Sequence, residues 1–143
     1  MRAAVLPRHG DPDVFEIQER PDPSLAPGRV LVRVKAAGIN FADLMARQGL
    51  YPDAPDLPAI LGYEVAGEVA EVGEGVEDFA PGDRVAGWSR FGGYAEIVSA
   101  RDRDLIALPA DWSFEEARRF RSSTALPTRR WCRSAICAPA SSC

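Results

Sequence analysis

The sequence is poor in the residues that metal sites and nucleophilic catalysis require. It contains one histidine, His9, and its three cysteines all lie at or beyond Cys132. A catalytic zinc ion takes three protein ligands and a structural zinc usually four, and the cysteine spacing fits no common zinc module. A Ser-His or Cys-His pair also needs a histidine, and His9 sits in a turn-forming cluster. We therefore expect no metal site, no nucleophilic dyad and no structural disulfide.

Long apolar segments are also missing. No hydrophobic run approaches about 18 residues, so the sequence predicts no transmembrane span. The first residues lack the apolar core of a signal peptide. With 46% hydrophobic and 27% charged residues, the composition is that of a globular protein. A chain of 143 residues fits one domain, and we expect it in the cytoplasm.

The sequence does contain a series of short β-strand patterns separated by turn residues. The clearest covers residues 29–37, where Val30, Val32 and Val34 alternate with polar residues at the period of a half-buried strand. Further strands are predicted at 2–7, 14–19, 64–72, 84–88, 94–99 and 105–108. Ala66 and Gly67 predict a close approach of two backbones. Turn signals roughly every ten residues favour a β-barrel or sandwich.

A first helix is predicted directly after the clearest strand. Asn40 is a preferred N-cap type, and Gly49 is expected to end the helix in the left-handed conformation. Phe41, Leu44 and Met45 recur at helical spacing. This spacing supports the helix.

Two other local patterns predict a helix start and a turn. Ser113 with Glu116 three residues later forms a capping box, so a second helix is expected there. Gly73-Glu74-Gly75 resembles the start of a dinucleotide-binding fingerprint. Asp78 stands where the third glycine would be, and no helix can open behind it. We interpret this segment as a turn.

Five segments, taken in order, carry a resemblance to a known family. Residues 40–51 read Asn-Phe-Ala-Asp-Leu-Met-Ala-Arg-Gln-Gly-Leu-Tyr, and residues 61–64 read Leu-Gly-Tyr-Glu. Pro-Gly-Asp-Arg-Val, Gly-Tyr-Ala-Glu and Trp-Ser-Phe-Glu-Glu-Ala occupy 81–85, 93–96 and 112–117. This combination resembles the medium-chain dehydrogenase/reductase superfamily, and within it the zinc-free quinone oxidoreductase branch with its VAT-1-like members. The resemblance runs from Met1 to Ala117.

The resemblance implies a fold and a chemistry. The fold would be a GroES-like β-barrel over residues 1–117, all-β with short helices. The activity would be NADPH-dependent reduction of quinones or conjugated carbonyl compounds without a metal. Zinc-dependent relatives carry Cys-His-x-Asp and Gly-His-Glu where residues 40–43 and 62–64 read Asn-Phe-Ala-Asp and Gly-Tyr-Glu.

The resemblance also assigns roles to single residues. Asn40 and Tyr51 would be the catalytic hydrogen-bond donors, and Asn40, Phe41 and Tyr63 would bind the cofactor. For Asn40 the alternative is a plain helix N-cap. For Tyr51 it is an aromatic side chain on the rim of the loop at residues 52–58, which contains three prolines. Asp43 and Glu64 are expected to be structural partners rather than acid–base groups.

By the same resemblance, most of the cofactor site would lie on a Rossmann domain. No glycine occurs after Gly93, so we expect that domain's phosphate-binding loop to be absent and NADPH not to bind this chain tightly. Full-length relatives would be homodimers. Apolar surface left uncovered around Asn40 and residues 112–114 would favour self-association. The alternative function is a free-standing β-barrel interaction module without catalysis.

Residues 118–143 differ from the rest of the chain in charge. All 21 acidic residues and 11 of the 17 basic residues lie in 1–117, whereas 118–143 hold six arginines and no acid. The resemblance ends at Ala117, and we interpret residues 118–143 as a disordered basic tail translated out of frame. The alternative is a tail that binds nucleic acid through arginine charge and aromatic stacking, which we do not favour.

Overall fold

Eight β-strands and two short α-helices make up residues 1–117, the part of the chain that the computed structural model describes. Two single 3-10 turns, Pro12–Val14 and Asp102–Asp104, connect strands. The elements are β1 Arg2–Leu6, β2 Glu16–Glu19, β3 Arg29–Ala37, α1 Phe41–Arg47, β4 Ala59–Ile60, β5 Glu64–Val72, β6 Arg84–Trp88, β7 Ile97–Arg101, β8 Leu105–Ala107 and α2 Phe114–Ala117.

The strands form two antiparallel sheets. The smaller has the order β2-β1-β4 and the larger β7-β3-β5-β6-β8. Strands β7 and β8 are the edges of the larger sheet, yet only the turn Asp102–Asp104 separates them, so the sheet rolls until its edges approach at that end. The predicted all-β fold with short helices is confirmed. It differs from a continuous barrel in that no ladder is found between β7 and β8 in residues 1–117.

Valine side chains fill the interior of the rolled sheet. Val30 and Val32 are fully buried, as their alternation predicts, and Val34 is partly buried. They pack with buried Val65 and Val85 from the neighbouring strands. Full burial of one such side chain stabilises a fold by about 1.5–3 kcal/mol.

Gly67 marks the predicted close approach of two backbones. A Cβ at this position would lie 2.1 Å from the carbonyl oxygen of Arg33 on β3. Strand β3 is irregular opposite this region, with a register shift between Val34 and Ala36. Only glycine lets β3 and β5 approach this closely here.

The large apolar side chains of α1 lie on its outer side, in line with the apolar surface expected around Asn40. Phe41 and Leu44 are 74% and 44% exposed, whereas Asp43, Ala46 and Arg47 are the buried residues of the helix. The guanidinium of Arg47 donates to the carbonyl oxygen of Gly10, and small Ala46 joins an apolar cluster. Polar contacts to loop residues therefore attach α1 to the rest of the fold, and its larger apolar side chains face outward.

The remaining local predictions differ from the structure mainly in their boundaries. Ser113 and Glu116 form the predicted capping box at the start of α2, and residues 73–75 form the predicted turn. The strand expected at 94–99 occupies Ile97–Arg101, and the two-residue strand β4 was not predicted because it is too short to show a period. The interpretation of residues 118–143 lies outside the described part of the chain.

Candidate functional site

Asp43 connects the start of α1 to the segment that leads into β5. Its carboxylate is only 3% exposed and accepts the backbone N–H of Asn40 at 2.9 Å and that of Gly62 at 3.0 Å. The N–H of Gly38 donates to the backbone carbonyl of buried Glu64 at 2.9 Å. The two motifs that carry the family resemblance therefore lie side by side. Asp43 is the structural partner that the sequence predicts.

Gly62 and Ser89 shape the backbone next to Tyr63. Gly62 has φ +99°, and a Cβ there would lie 2.7 Å from the ring of Tyr94, so only glycine fits. The N–H of Ser89 donates to the carbonyl oxygen of Tyr63 at 2.9 Å, and the Ser89 hydroxyl donates to that of Gly62 at 3.0 Å. The turn after β6 is thereby held against the residues that precede β5.

Tyr63 lies at the centre of an aromatic cluster. Its ring meets that of Tyr51 edge-on, with the ring centroids 6.2 Å apart and the planes at 89°. The centroid of Tyr63 lies 4.7 Å from that of Phe91 and 6.5 Å from that of Trp88. Burial, and then hydrogen bonding to Tyr51, raises the pKa of the Tyr63 phenol. The phenol therefore keeps its proton at neutral pH and is available as a hydrogen-bond donor.

A cleft of about 490 Å³ opens beside this cluster. This volume lies within the range of sites for small molecules. Aromatic and charged side chains both line it: Arg29, Tyr51, Asp53, Tyr63, Trp88, Ser89, Arg90, Arg101 and Asp104. Such a site can pack a planar ring while offering several hydrogen-bond donors.

Two of the four predicted site residues line the cleft and two do not. Tyr51 and Tyr63 line it and touch each other. Asn40 occupies the N-cap position of α1, where its amide nitrogen Nδ2 is buried and has no hydrogen-bond partner among residues 1–117. Phe41 projects from the first turn of the same helix with most of its ring exposed. The roles proposed for these residues remain predictions.

The arginines of the cleft were not found by sequence reasoning. Arg29 begins β3 and Arg101 ends β7, and antiparallel pairing places the two directly opposite each other. Arg90 adopts φ +69°, a left-handed conformation that usually signals glycine. Sheet register brings Arg29 and Arg101 to the cleft, and no local pattern of the sequence contains that register.

Within residues 1–117, no group of three or more His, Cys, Asp or Glu side chains is placed to hold a metal ion. No helix of the described residues is both long and apolar enough to span a membrane.

Comparison with known proteins gives a family and several relatives. Residues 26–110 match the alcohol dehydrogenase GroES-like domain. The synaptic vesicle membrane protein VAT-1 homolog of Rattus norvegicus is 45% identical over 119 residues, which cover 82% of this chain and 30% of that protein. The quinone oxidoreductase of Pseudomonas aeruginosa is 43% identical over 76% of this chain and 34% of its own length.

Solved structures agree with these relatives. The human VAT-1 homolog-like protein aligns with a TM-score of 0.80 at 36% identity, over 82% of this chain and 38% of that one. The Escherichia coli quinone oxidoreductase complexed with NADPH aligns with a TM-score of 0.78 at 39% identity, over 82% of this chain and 36% of that one. The chain thus spans about a third of the length of these relatives.

Proposed function

The chain belongs to the alcohol dehydrogenase GroES-like domain family of the medium-chain oxidoreductases, and from this premise we propose that residues 1–117 form the substrate half of a zinc-independent quinone or enone reductase. The observation that carries the proposal is the cleft in which Tyr51 and Tyr63 meet edge to face beside Trp88. Similarity to quinone oxidoreductases supports the same class of substrate.

The aromatic side chains suit a planar, conjugated acceptor. A quinone or enone ring packs favourably against Tyr63 and Trp88, since aromatic pairs contribute about 0.5–1.5 kcal/mol beyond the area they bury. A conjugated acceptor also spreads incoming negative charge over its π-system. Neutral hydrogen-bond donors such as the phenols of Tyr51 and Tyr63 can then stabilise that charge without a metal.

NADPH is the cofactor we propose, and when bound it supplies the hydride. Asn40 fits its reactive end, because the buried Nδ2 is a donor that folding leaves without a partner and a carbonyl oxygen would satisfy it. Phe41 on the same helical turn and Tyr63 across the Asp43 bridge would contact the nicotinamide. No phosphate-binding glycine loop occurs in residues 1–117, so these residues hold only that end of the cofactor.

A hybrid enzyme tests the proposed function. Residues 1–117 replace the matching segment of the Pseudomonas aeruginosa quinone oxidoreductase, and oxidation of NADPH by naphthoquinone is monitored. We expect Asn40→Ser, which keeps an N-cap residue but removes the amide donor, and Tyr51→Phe each to lower kcat roughly 10- to 100-fold. Gln48→Ser, an exposed change at the other end of α1, is the matched control and should leave kcat unchanged.

Two outcomes would contradict the proposal. One is a folded hybrid that binds NADPH but reduces no quinone. The other is an active hybrid in which Asn40→Ser and Tyr51→Phe both retain the full kcat, because neither side chain would then touch the reaction.

A further inference from the structure

Four arginines gather where the candidate cleft meets a second cavity. The second cavity, of about 310 Å³, is lined by Arg29, Arg101 and Arg103 among others. Arg29 and Arg101 also line the larger cleft, together with Arg90. We call these four residues the arginine cluster. They place positive charge in the same cleft as Tyr51 and Tyr63.

Contacts within the fold do not neutralise the arginine cluster. Arg29 and Arg101 are direct cross-strand partners, and like charges in that position destabilise a sheet. Arg29 donates from Nε and Nη2 to the hydroxyl and carbonyl oxygens of Ser99, both at 2.7 Å, and these acceptors are neutral. In residues 1–117, no ion pair to a carboxylate is found for Arg90, Arg101 or Arg103.

The cluster stands out against an acidic protein. Residues 1–117 hold 21 acidic and 11 basic residues, a net of −10, and four of those 11 basic residues belong to the cluster. Outside the cluster, Arg2 pairs with Glu96 at 2.8 Å and Lys35 with Glu68 at 3.4 Å.

Three carboxylates share the two cavities with the cluster. Asp53 and Asp104 line the cleft and Asp102 lines the smaller cavity, so the cleft lining of three arginines and two aspartates carries a net charge of +1. The site is therefore locally positive, although acidic groups are present in it.

Arg90 follows a hydrogen-bonded residue in the turn after β6. Its φ of +69° is unfavourable for a residue with a side chain, and such conformations concentrate at ligand-binding positions. The preceding residue, Ser89, bonds to the backbone of Gly62 and Tyr63. The same turn thus carries Arg90 and one wall of the aromatic cluster.

We propose that the cleft selects conjugated carbonyl substrates that bear an anionic group such as a carboxylate, sulfonate or phosphate. The ring lies against Tyr63 and Trp88, and the anion is bound by Arg101 and Arg90. Guanidinium groups suit this task because their paired N–H donors match two oxygens of such an anion. The inference rests on the proposed function, since it specifies the substrate of the same site.

A pair of quinones that differ in one charged group tests the inference. The full chain is titrated with naphthoquinone and with naphthoquinone sulfonate by calorimetry at low salt. We expect the sulfonate to bind about 10-fold more tightly, as one charge-assisted contact allows, and the difference to shrink as salt is added. Arg101→Gln should reduce the difference to less than about 3-fold. Arg33→Gln removes the same charge from an exposed position of β3 outside both cavities, and it should preserve the difference.

A third probe, inorganic pyrophosphate, separates this inference from the proposed function. It is titrated alone and in competition with naphthoquinone sulfonate. Equal affinities for the two quinones would overturn the inference and leave the function standing, as would a preference that survives Arg101→Gln. Binding of the sulfonate and of pyrophosphate through Arg101, without binding of the neutral quinone, would support anion selection and count against the function. Absence of binding by all three probes would overturn both.

Discussion

Asp43 is the single residue on which the geometry of the site depends most. Its carboxylate accepts the backbone N–H groups of Asn40 and Gly62, which are 22 positions apart, and it is almost completely buried. Asp43→Ala should lower the free energy of unfolding by about 2–5 kcal/mol, because both N–H groups lose their acceptor. Urea denaturation measures this change. Asp53→Ala, at an exposed position, should change stability by less than about 0.5 kcal/mol; equal effects of the two substitutions would contradict the role of Asp43.

Two tyrosines, Tyr63 in the cleft and Tyr94 outside it, give stability a defined pH dependence. Burial is the chief cause that raises the pKa values of Tyr63 and Tyr94 above the ordinary value of 10.0. Below about pH 10 both phenols are protonated in the folded and unfolded states, so the shifts have no effect. Above it the unfolded chain releases protons that the folded chain retains, and the free energy of unfolding falls as pH rises.

Alkaline titration checks this expectation. Near-ultraviolet absorbance should show Tyr63 and Tyr94 still protonated in folded protein at about pH 11, ionising only when urea unfolds it. Tyr63→Phe should lessen the alkaline loss of stability. Ionisation of both phenols near pH 10 in the folded protein would show that neither is held in the environment described.

Sequence reasoning at the residue scale reaches furthest where a motif is local. Tyr51 and Tyr63, which the family resemblance singles out within short motifs, lie together in one cleft, and their roles stay predictions. Arg29 and Arg101 were not singled out, because they are 72 positions apart and only the register of β3 and β7 joins them. Arg90 was also missed, since its left-handed backbone leaves no mark in the residue types around it.

The helix α1 illustrates what periodicity can and cannot predict about an element. Its start at Asn40 and its left-handed end at Gly49 were predicted from residue types that cap helices. The spacing of Phe41 and Leu44 also suits a helix, but a period does not tell which face the neighbouring elements cover. Here Asp43 and Arg47 make the buried contacts.

The outward face of α1 should be a surface for association. Ile39, Phe41, Leu44 and Leu50 are all exposed large apolar side chains around this helix. Because exposed apolar clusters bind hydrophobic dyes and promote association, Ile39→Ser combined with Leu44→Ser should lower dye fluorescence at least roughly two-fold and shift the chain toward monomer. Sedimentation velocity measures the second effect.

Gln48→Ser is the matched control for this face. It changes an exposed polar residue next to α1 and should alter neither property. Unchanged dye binding in the Ile39→Ser, Leu44→Ser protein would show that the apolar face of α1 is not the surface responsible.

At the scale of the whole molecule, the strand patterns predicted the architecture, and the pairing of strands determined the site. Alternation in β3 and turn signals along the chain were enough for an all-β fold. The approach of the two sheet edges at Asp102–Asp104 was not predicted, because it depends on the twist and order of five strands. That approach brings Arg101 and Asp104 into the cleft with Tyr63.

The chain spans about a third of the length of its relatives, and the central claim is that this portion contains the substrate half of a reductase site. Titration of the isotope-labelled chain with neutral naphthoquinone, monitored by amide NMR, tests that claim most directly. The account predicts saturable shifts concentrated at Tyr51, Tyr63, Trp88 and Arg90, and their loss in Tyr63→Ala but not in Gln48→Ser. Absence of shifts, or shifts confined to the exposed edge strand Glu16–Glu19 on the other sheet, would contradict it.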